Sequence, residues 1–72
     1  MSKQYKAKSG KIQWKPSLRE VREMDRACEG FCLACGERQS GVEPDGRKYK
    51  CEGCREMKVY GAEELALMGL VY

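Results

Sequence analysis

Four of the five cysteines in this 72-residue chain stand in two pairs of equal spacing, Cys32-Leu33-Ala34-Cys35 and Cys51-Glu52-Gly53-Cys54, with fifteen residues between the pairs. Two residues between cysteines let both sulfurs face one point from a single turn. Two such turns complete a tetrahedron of thiolates around an ion held at about 2.3 Å. The small residues Ala34, Gly36 and Gly53 leave room for backbone N–H groups to approach the sulfurs and offset their charge. The pattern assigns Cys32, Cys35, Cys51 and Cys54 as the ligands of one structural Zn2+. With all four positions filled by thiolate, no position is left for an activated water, and the chain is not expected to be an enzyme.

Other residue types offer less specific chemistry. Cys28 falls on an apolar helical arc with Val21 and Met24, which suits a small core side chain better than a fifth ligand or a redox sensor. Lys3, Lys6, Lys8, Lys11 and Lys15, interleaved with Tyr5 and Trp14, could follow a phosphate backbone while the rings stack on bases. The competing reading is a solubilising tail, with Trp14 folded onto the helix that follows. Arg47, Lys48 and Lys50 make a second, smaller cationic group, blunted by Glu43 and Asp45. Asp45 itself stands between Pro44 and Gly46, the setting of a turn residue. Leu67, on the polar side of the last helix, with Leu70 and Tyr72, is a candidate contact patch toward a protein partner or a second copy, the alternative being that Leu70, Val71 and Tyr72 complete the core against Val21 and Met24.

The elements that must position these groups are short. Residues 1–13 are polar and lysine-rich without apolar periodicity, which predicts an unstructured arm over 1–15 and a single domain over 16–72. Ser17 and Glu20 form a capping box for a helix over about 18–28 whose apolar arc holds Leu18, Val21, Met24 and Cys28, with Gly30 as its left-handed stop. A strand is expected within 37–43, a turn at Pro44-Asp45-Gly46 with Gly46 taking a positive φ, and a return strand over 47–51. Residues 57–60 read as a third strand, and Ala62 to Met68 as a helix with Glu63 and Glu64 in its first turn and Gly69 at its end.

Composition bounds the function. The net charge is +3, but residues 1–26 carry eight Lys/Arg against three acids while 27–72 carry six against eight. Four thiolates around one Zn2+ make the second part more negative by about two charges. Large aliphatic residues are sparse, so a structural metal must supply what the core cannot. No segment is long and apolar enough to span a bilayer, and the lysine-rich start lacks the apolar run of a secretory signal. An intracellular, reducing setting is expected, which favours metal over disulfides.

The two knuckles, Cys32-x2-Cys35-Gly36 and Cys51-x2-Cys54, with the Pro44-Asp45-Gly46 turn between them, resemble the zinc-ribbon superfamily over residues 31–60. Arg55 stands where the ribbon pattern has a glycine after the second knuckle. Zinc ribbons occur in transcription factors, polymerase subunits, ribosomal proteins and protein-docking modules. The whole chain also resembles small zinc-ribbon proteins encoded by tailed phages, chiefly in the run from Tyr60 to Gly69. Rubredoxin shares the ligand set, but its knuckles are much further apart, so electron transfer fits less well.

The resulting expectation is a small α+β zinc ribbon, two knuckles and a β-hairpin, flanked by an N-terminal and a C-terminal helix. Its function would be non-enzymatic binding with no small-molecule substrate. Nucleic acid or a transcription-linked assembly is the first expected partner, and a protein-interaction adaptor using the C-terminal apolar helix, as in a phage protein binding a host factor, is the second.

Overall fold

The computed structural model describes residues 3–7 and 10–72. Its elements are β1 (Lys3–Lys6), β2 (Ile12–Lys15), α1 (Leu18–Ala27), β3 (Glu29–Cys32), β4 (Arg38–Ser40), β5 (Val59–Gly61) and α2 (Ala62–Leu67). Strands β1 and β2 form one sheet, and β4, β3 and β5, in that order, form a second, all pairs antiparallel. The class is small α+β. Among the described residues no helix is long and apolar enough to cross a membrane.

The N-terminal segment departs from the expected unstructured arm. Lys3 pairs with Lys15, Gln4 with Trp14, Tyr5 with Gln13 and Lys6 with Ile12. The turn closes through the Ala7 N–H to the Lys11 carbonyl and the Gly10 N–H to the Ala7 carbonyl, with Gly10 at φ 87°. The ribbon is held to the rest of the molecule by Trp14, whose N–H donates to the Leu33 carbonyl at 2.8 Å. A strand with one or two apolar residues gains its stability from such a partner, so local composition does not announce it. Lys8 lies outside the described residues.

Helix α1 starts as its sequence dictates. The Ser17 hydroxyl accepts from the Glu20 N–H at 3.2 Å, and the Glu20 carboxylate accepts from the Ser17 N–H at 3.3 Å. Val21 and Met24 are buried, but Leu18 is 51% exposed. The helix ends at Cys28, not Gly30: Cys28 itself is left-handed (φ 54°), which turns its side chain out to solvent instead of into the core. Gly30 lies inside β3, where a Cβ would sit 2.7 Å from Val42 Cγ1 and 2.8 Å from Val59 Cγ1. It is glycine because two valines close over it.

Strand β3 is the centre of the fold. Its alternation sends Phe31 and Leu33 into a cluster with Val21, Met24, Tyr60, Ala62 and Leu65, while Cys32 joins Val42, Cys51 and Val59 in a second cluster. The expected return strand over 47–51 is absent among the described residues. Only Tyr49 bridges, and it bridges Val59, because β3 rather than the 47–51 segment supplies the partner for both β4 and β5.

The Pro44-Asp45-Gly46 turn forms, with the Gly46 N–H donating to the Glu43 carbonyl at 2.8 Å. Gly46 does not take the expected positive φ; it is needed for space, since a Cβ would lie 3.0 Å from Val42 Cγ1 and from the Glu43 carbonyl oxygen. The turn also caps α2, which has no side-chain cap: the Glu64 N–H donates to the Pro44 carbonyl at 3.1 Å. At the other end Gly69 is left-handed, and the last residue is tied across the start of α1 by the Leu18 N–H to the Tyr72 carbonyl and the Tyr72 N–H to the Pro16 carbonyl.

Candidate metal centre

The two knuckles are built on one backbone pattern. In the first, the Gly36 N–H donates to the Cys32 carbonyl at 2.8 Å and the Cys32 N–H to the Glu37 carbonyl at 2.9 Å. In the second, the Arg55 N–H donates to the Cys51 carbonyl and the Cys51 N–H to the Glu56 carbonyl, both at 2.9 Å. Gly36 has φ 79° and Arg55 φ 67°. Arg55 therefore takes the left-handed position that glycine fills in the first knuckle, and the departure from the ribbon pattern changes strain without changing geometry.

The four Sγ atoms all lie within 4.8 Å of one another. Cys32 to Cys54 and Cys35 to Cys51 are each 3.6 Å apart. A tetrahedron with metal–sulfur bonds of about 2.3 Å has edges of about 3.8 Å, so the sulfurs already stand near the corners that zinc requires. They are also too far apart for disulfide bonds. The four thiols are positioned to coordinate one metal ion, consistent with a single structural zinc. Cys32 and Cys51 are buried, Cys35 is half-buried and Cys54 is exposed, so one edge of the site meets solvent.

The local fields differ from sulfur to sulfur in the metal-free chain. Burial pushes the Cys32 thiol up, against the N–H groups of Cys35 and Ala34. Burial likewise raises Cys35, opposed by the Glu37 N–H. Cys51 is lowered to about 7, because the Cys54 N–H points at its sulfur from 3.4 Å and the Gly53 N–H adds to it. A divalent ion removes all the protons, and the same N–H groups then share the charge left on the thiolates.

Two supporting residues are not signalled by the sequence. Gln39, on β4, accepts from the Glu52 N–H at 3.0 Å and donates to the Lys50 carbonyl at 3.1 Å, so one amide clamps the chain on both sides of Cys51. Trp14 lays its ring against Gly36, where a Cβ would stand 3.0 Å from Cδ2 and from Cγ. Trp14 also packs against the core cluster that holds Val21 and Met24 of α1, so the expected contact with that helix is joined by a role bracing the first knuckle. Nothing in the type of either residue announces these interactions, which come from pairings distant in sequence.

The remaining candidates are dispersed. Lys3, Lys6 and Lys15 stand on the hairpin strands and Lys11 in its turn, with the Lys3 ammonium over the Tyr72 ring at 5.6 Å and that of Lys15 over the Tyr5 ring at 5.3 Å. Arg47 is bound to Glu64 at 3.2 Å, while Lys48 (φ 51°) and Lys50 are exposed. Leu67 is 77% exposed and Tyr72 is 46% exposed, whereas Leu70 packs against the core. The C-terminal patch is thereby reduced.

No family model, curated protein or solved structure matches the chain.

Proposed function

We propose that the chain is a zinc-stabilised, non-enzymatic binding module of zinc-ribbon type that contacts nucleic acid, as a transcription-linked accessory protein does. The observation that carries this reading is the set of lysines left without an acid. Lys3, Lys6, Lys11, Lys15, Lys48 and Lys50 make no ion pair with a carboxylate among the described residues, although the chain holds eleven Asp and Glu. Unpaired surface ammonium groups supply the sequence-independent attraction for phosphate. The thiolate tetrahedron supplies architecture and leaves no open coordination position for catalysis.

Binding of the zinc-loaded chain to labelled nucleic acid, followed by fluorescence anisotropy against salt, tests the reading. Affinity should fall steeply as salt rises, and Lys3, Lys6 and Lys15 changed together to Gln should flatten the slope by about 0.7–0.9 for each phosphate that is no longer neutralised. Substitution is preferable to deleting residues 1–15, because Trp14 braces the first knuckle. Affinity indifferent both to salt and to those substitutions ends the proposal. The second reading, an adaptor such as a phage protein binding a host factor, is favoured by Leu67, whose exposure of 77% is the largest among the large apolar side chains of the described residues. Saturable capture of a protein in high salt, with no binding of nucleic acid, would select it.

A further inference from the structure

Helix α1 carries a cationic surface distinct from the lysines. Val21 and Met24 face the core, and on an ideal helix Arg19, Arg22 and Arg26 fall within an arc of roughly 60° on the opposite side. All three are exposed, and with Leu18 and Glu23 they line one surface depression of about 580 Å3. Among the described residues none of the three makes a hydrogen bond or an ion pair with a carboxylate. The acid on that face, Glu23, is taken by Arg38 at 3.1 Å. Arg38 also lies 3.0 Å from Glu29 Oε1, close in distance but without hydrogen-bond alignment. Asp25 sits on the other flank, beside the groove between α1 and α2.

A helix face kept only for solubility mixes charges at spacings of three and four, because like charges there repel. Here positions 19, 22 and 26 are all arginine. Glu23 stands at a spacing of four from Arg19 and three from Arg26 but is engaged by Arg38, and Asp25 and Glu63 share the groove between α1 and α2 with Arg22 alone. An external anion would relieve the repulsion that remains among the three guanidiniums. Guanidinium is also the cation whose planar fork matches two phosphate oxygens at once. We propose that Arg19, Arg22 and Arg26 hold the phosphate backbone of duplex DNA, with α1 seated at the major groove. This deepens the nucleic-acid reading and rests on it. The major groove, about 12 Å wide, admits a helix about 10–12 Å across. The major groove of A-form RNA is too narrow for its side chains. Single strands are gripped by stacking on aromatic rings, and this face carries none.

The test compares the zinc-loaded full chain with two variants, Arg19, Arg22 and Arg26 changed together to Gln and the same three changed to Lys. Each is titrated against a short labelled DNA duplex, the matching single strand and an RNA hairpin, between about 50 and 200 mM salt. Freeing three phosphates flattens the log–log salt slope on duplex DNA by about 2.7, so the parent chain should lose roughly 40-fold more affinity across that range than the Gln variant. The Lys variant should keep most of the slope, and unchanged circular dichroism and zinc content should show that both variants are folded. A Gln variant that binds duplex DNA as the parent does, while the lysine substitutions above weaken binding, overturns the arginine face and leaves the nucleic-acid reading standing. A loss confined to the single strand or the RNA hairpin overturns the choice of duplex DNA. A parent chain that binds none of the three overturns both readings.

Discussion

Gly61→Ala tests how much of the fold hangs on the Pro44-Asp45-Gly46 turn. A Cβ at position 61 would enter the space of the Glu43 and Pro44 carbonyl oxygens. Those are backbone atoms and cannot swing aside, so the turn itself must move. It is held by the Gly61 N–H to the Gly46 carbonyl at 2.9 Å and the Glu64 N–H to the Pro44 carbonyl at 3.1 Å, and the second of these caps α2. Each contributes a net of about 1 kcal/mol. Shifting the turn also lifts Val42, which is 1% exposed, from its seat over Gly30, at about 1–2 kcal/mol for partial loss of a buried valine. The sum is about 3–4 kcal/mol, against a total stability of roughly 4–11 kcal/mol for a chain this long. In urea, with a slope of about 1 kcal/mol per molar, the midpoint should fall by about 3 M. Gly41→Ala is the control: Gly41 has φ 77° and nothing within 4 Å of its Cβ position, so it bears only the left-handed cost of about 1–2 kcal/mol. Equilibrium urea unfolding of the zinc-loaded chains, followed by far-UV circular dichroism, separates the two. Equal midpoint shifts would refute the claim that this turn braces β5 and caps α2.

Three further outcomes follow from the metal centre. Chelation should unfold the chain, since zinc binding to comparable sites is worth about 10–16 kcal/mol and the whole fold roughly 4–11 kcal/mol; a native amide spectrum after chelation would contradict the structural role of the metal. Acid should act in the same direction, because metal-bound thiolates have depressed proton affinity, so their contribution is present at higher pH and lost as pH falls. Arg55→Gly should stabilise by about 0.5–1 kcal/mol, the left-handed strain of about 1–2 kcal/mol being offset in part by the flexibility of glycine in the unfolded chain. A drop in the urea midpoint would show that Arg55 and Gly36 are not equivalent.

What could be read in the sequence is what depends on neighbours along the chain. The ligand set needs only cysteine chemistry and a two-residue gap, and the Ser17–Glu20 box needs only a three-residue gap, so both are legible. The hairpin is not, because Tyr5 finds Gln13 at 2.8 Å and Trp14 finds Gly36, partners set by register and docking. Gly30 and Cys28 illustrate a subtler loss. Helix-stop logic prefers glycine for the left-handed residue, but Gly30 was already required where Val42 and Val59 close over β3. The turn then fell to Cys28, which took it at a cost of about 1–2 kcal/mol and gave up its place in the core. The valines are distant in sequence, so no local rule could weigh the two demands.

The position of the hairpin changes what the zinc does under the proposed function. Four thiolates around Zn2+ leave a charge of about −2, and Glu37, Glu52 and Glu56 are exposed on and beside the knuckles. A polyanion within a Debye length of about 8 Å is therefore repelled from the metal. Apart from Lys48, Lys50 and Arg55 near the second knuckle, the cations of the proposed interface stand on the β1–β2 ribbon and on α1. Yet the ribbon is fixed by Trp14, its ring on Gly36 and its N–H on Leu33, and both of those partners belong to the first knuckle. Phe31 and Cys32 are adjacent on β3, so the same strand that carries a zinc ligand also carries the core against which α1 packs Val21 and Met24. The metal thus has no reason to touch phosphate, and every reason to be required for its binding: without it the first knuckle loses the geometry that holds the ribbon, and β3 loses the anchor that orients α1.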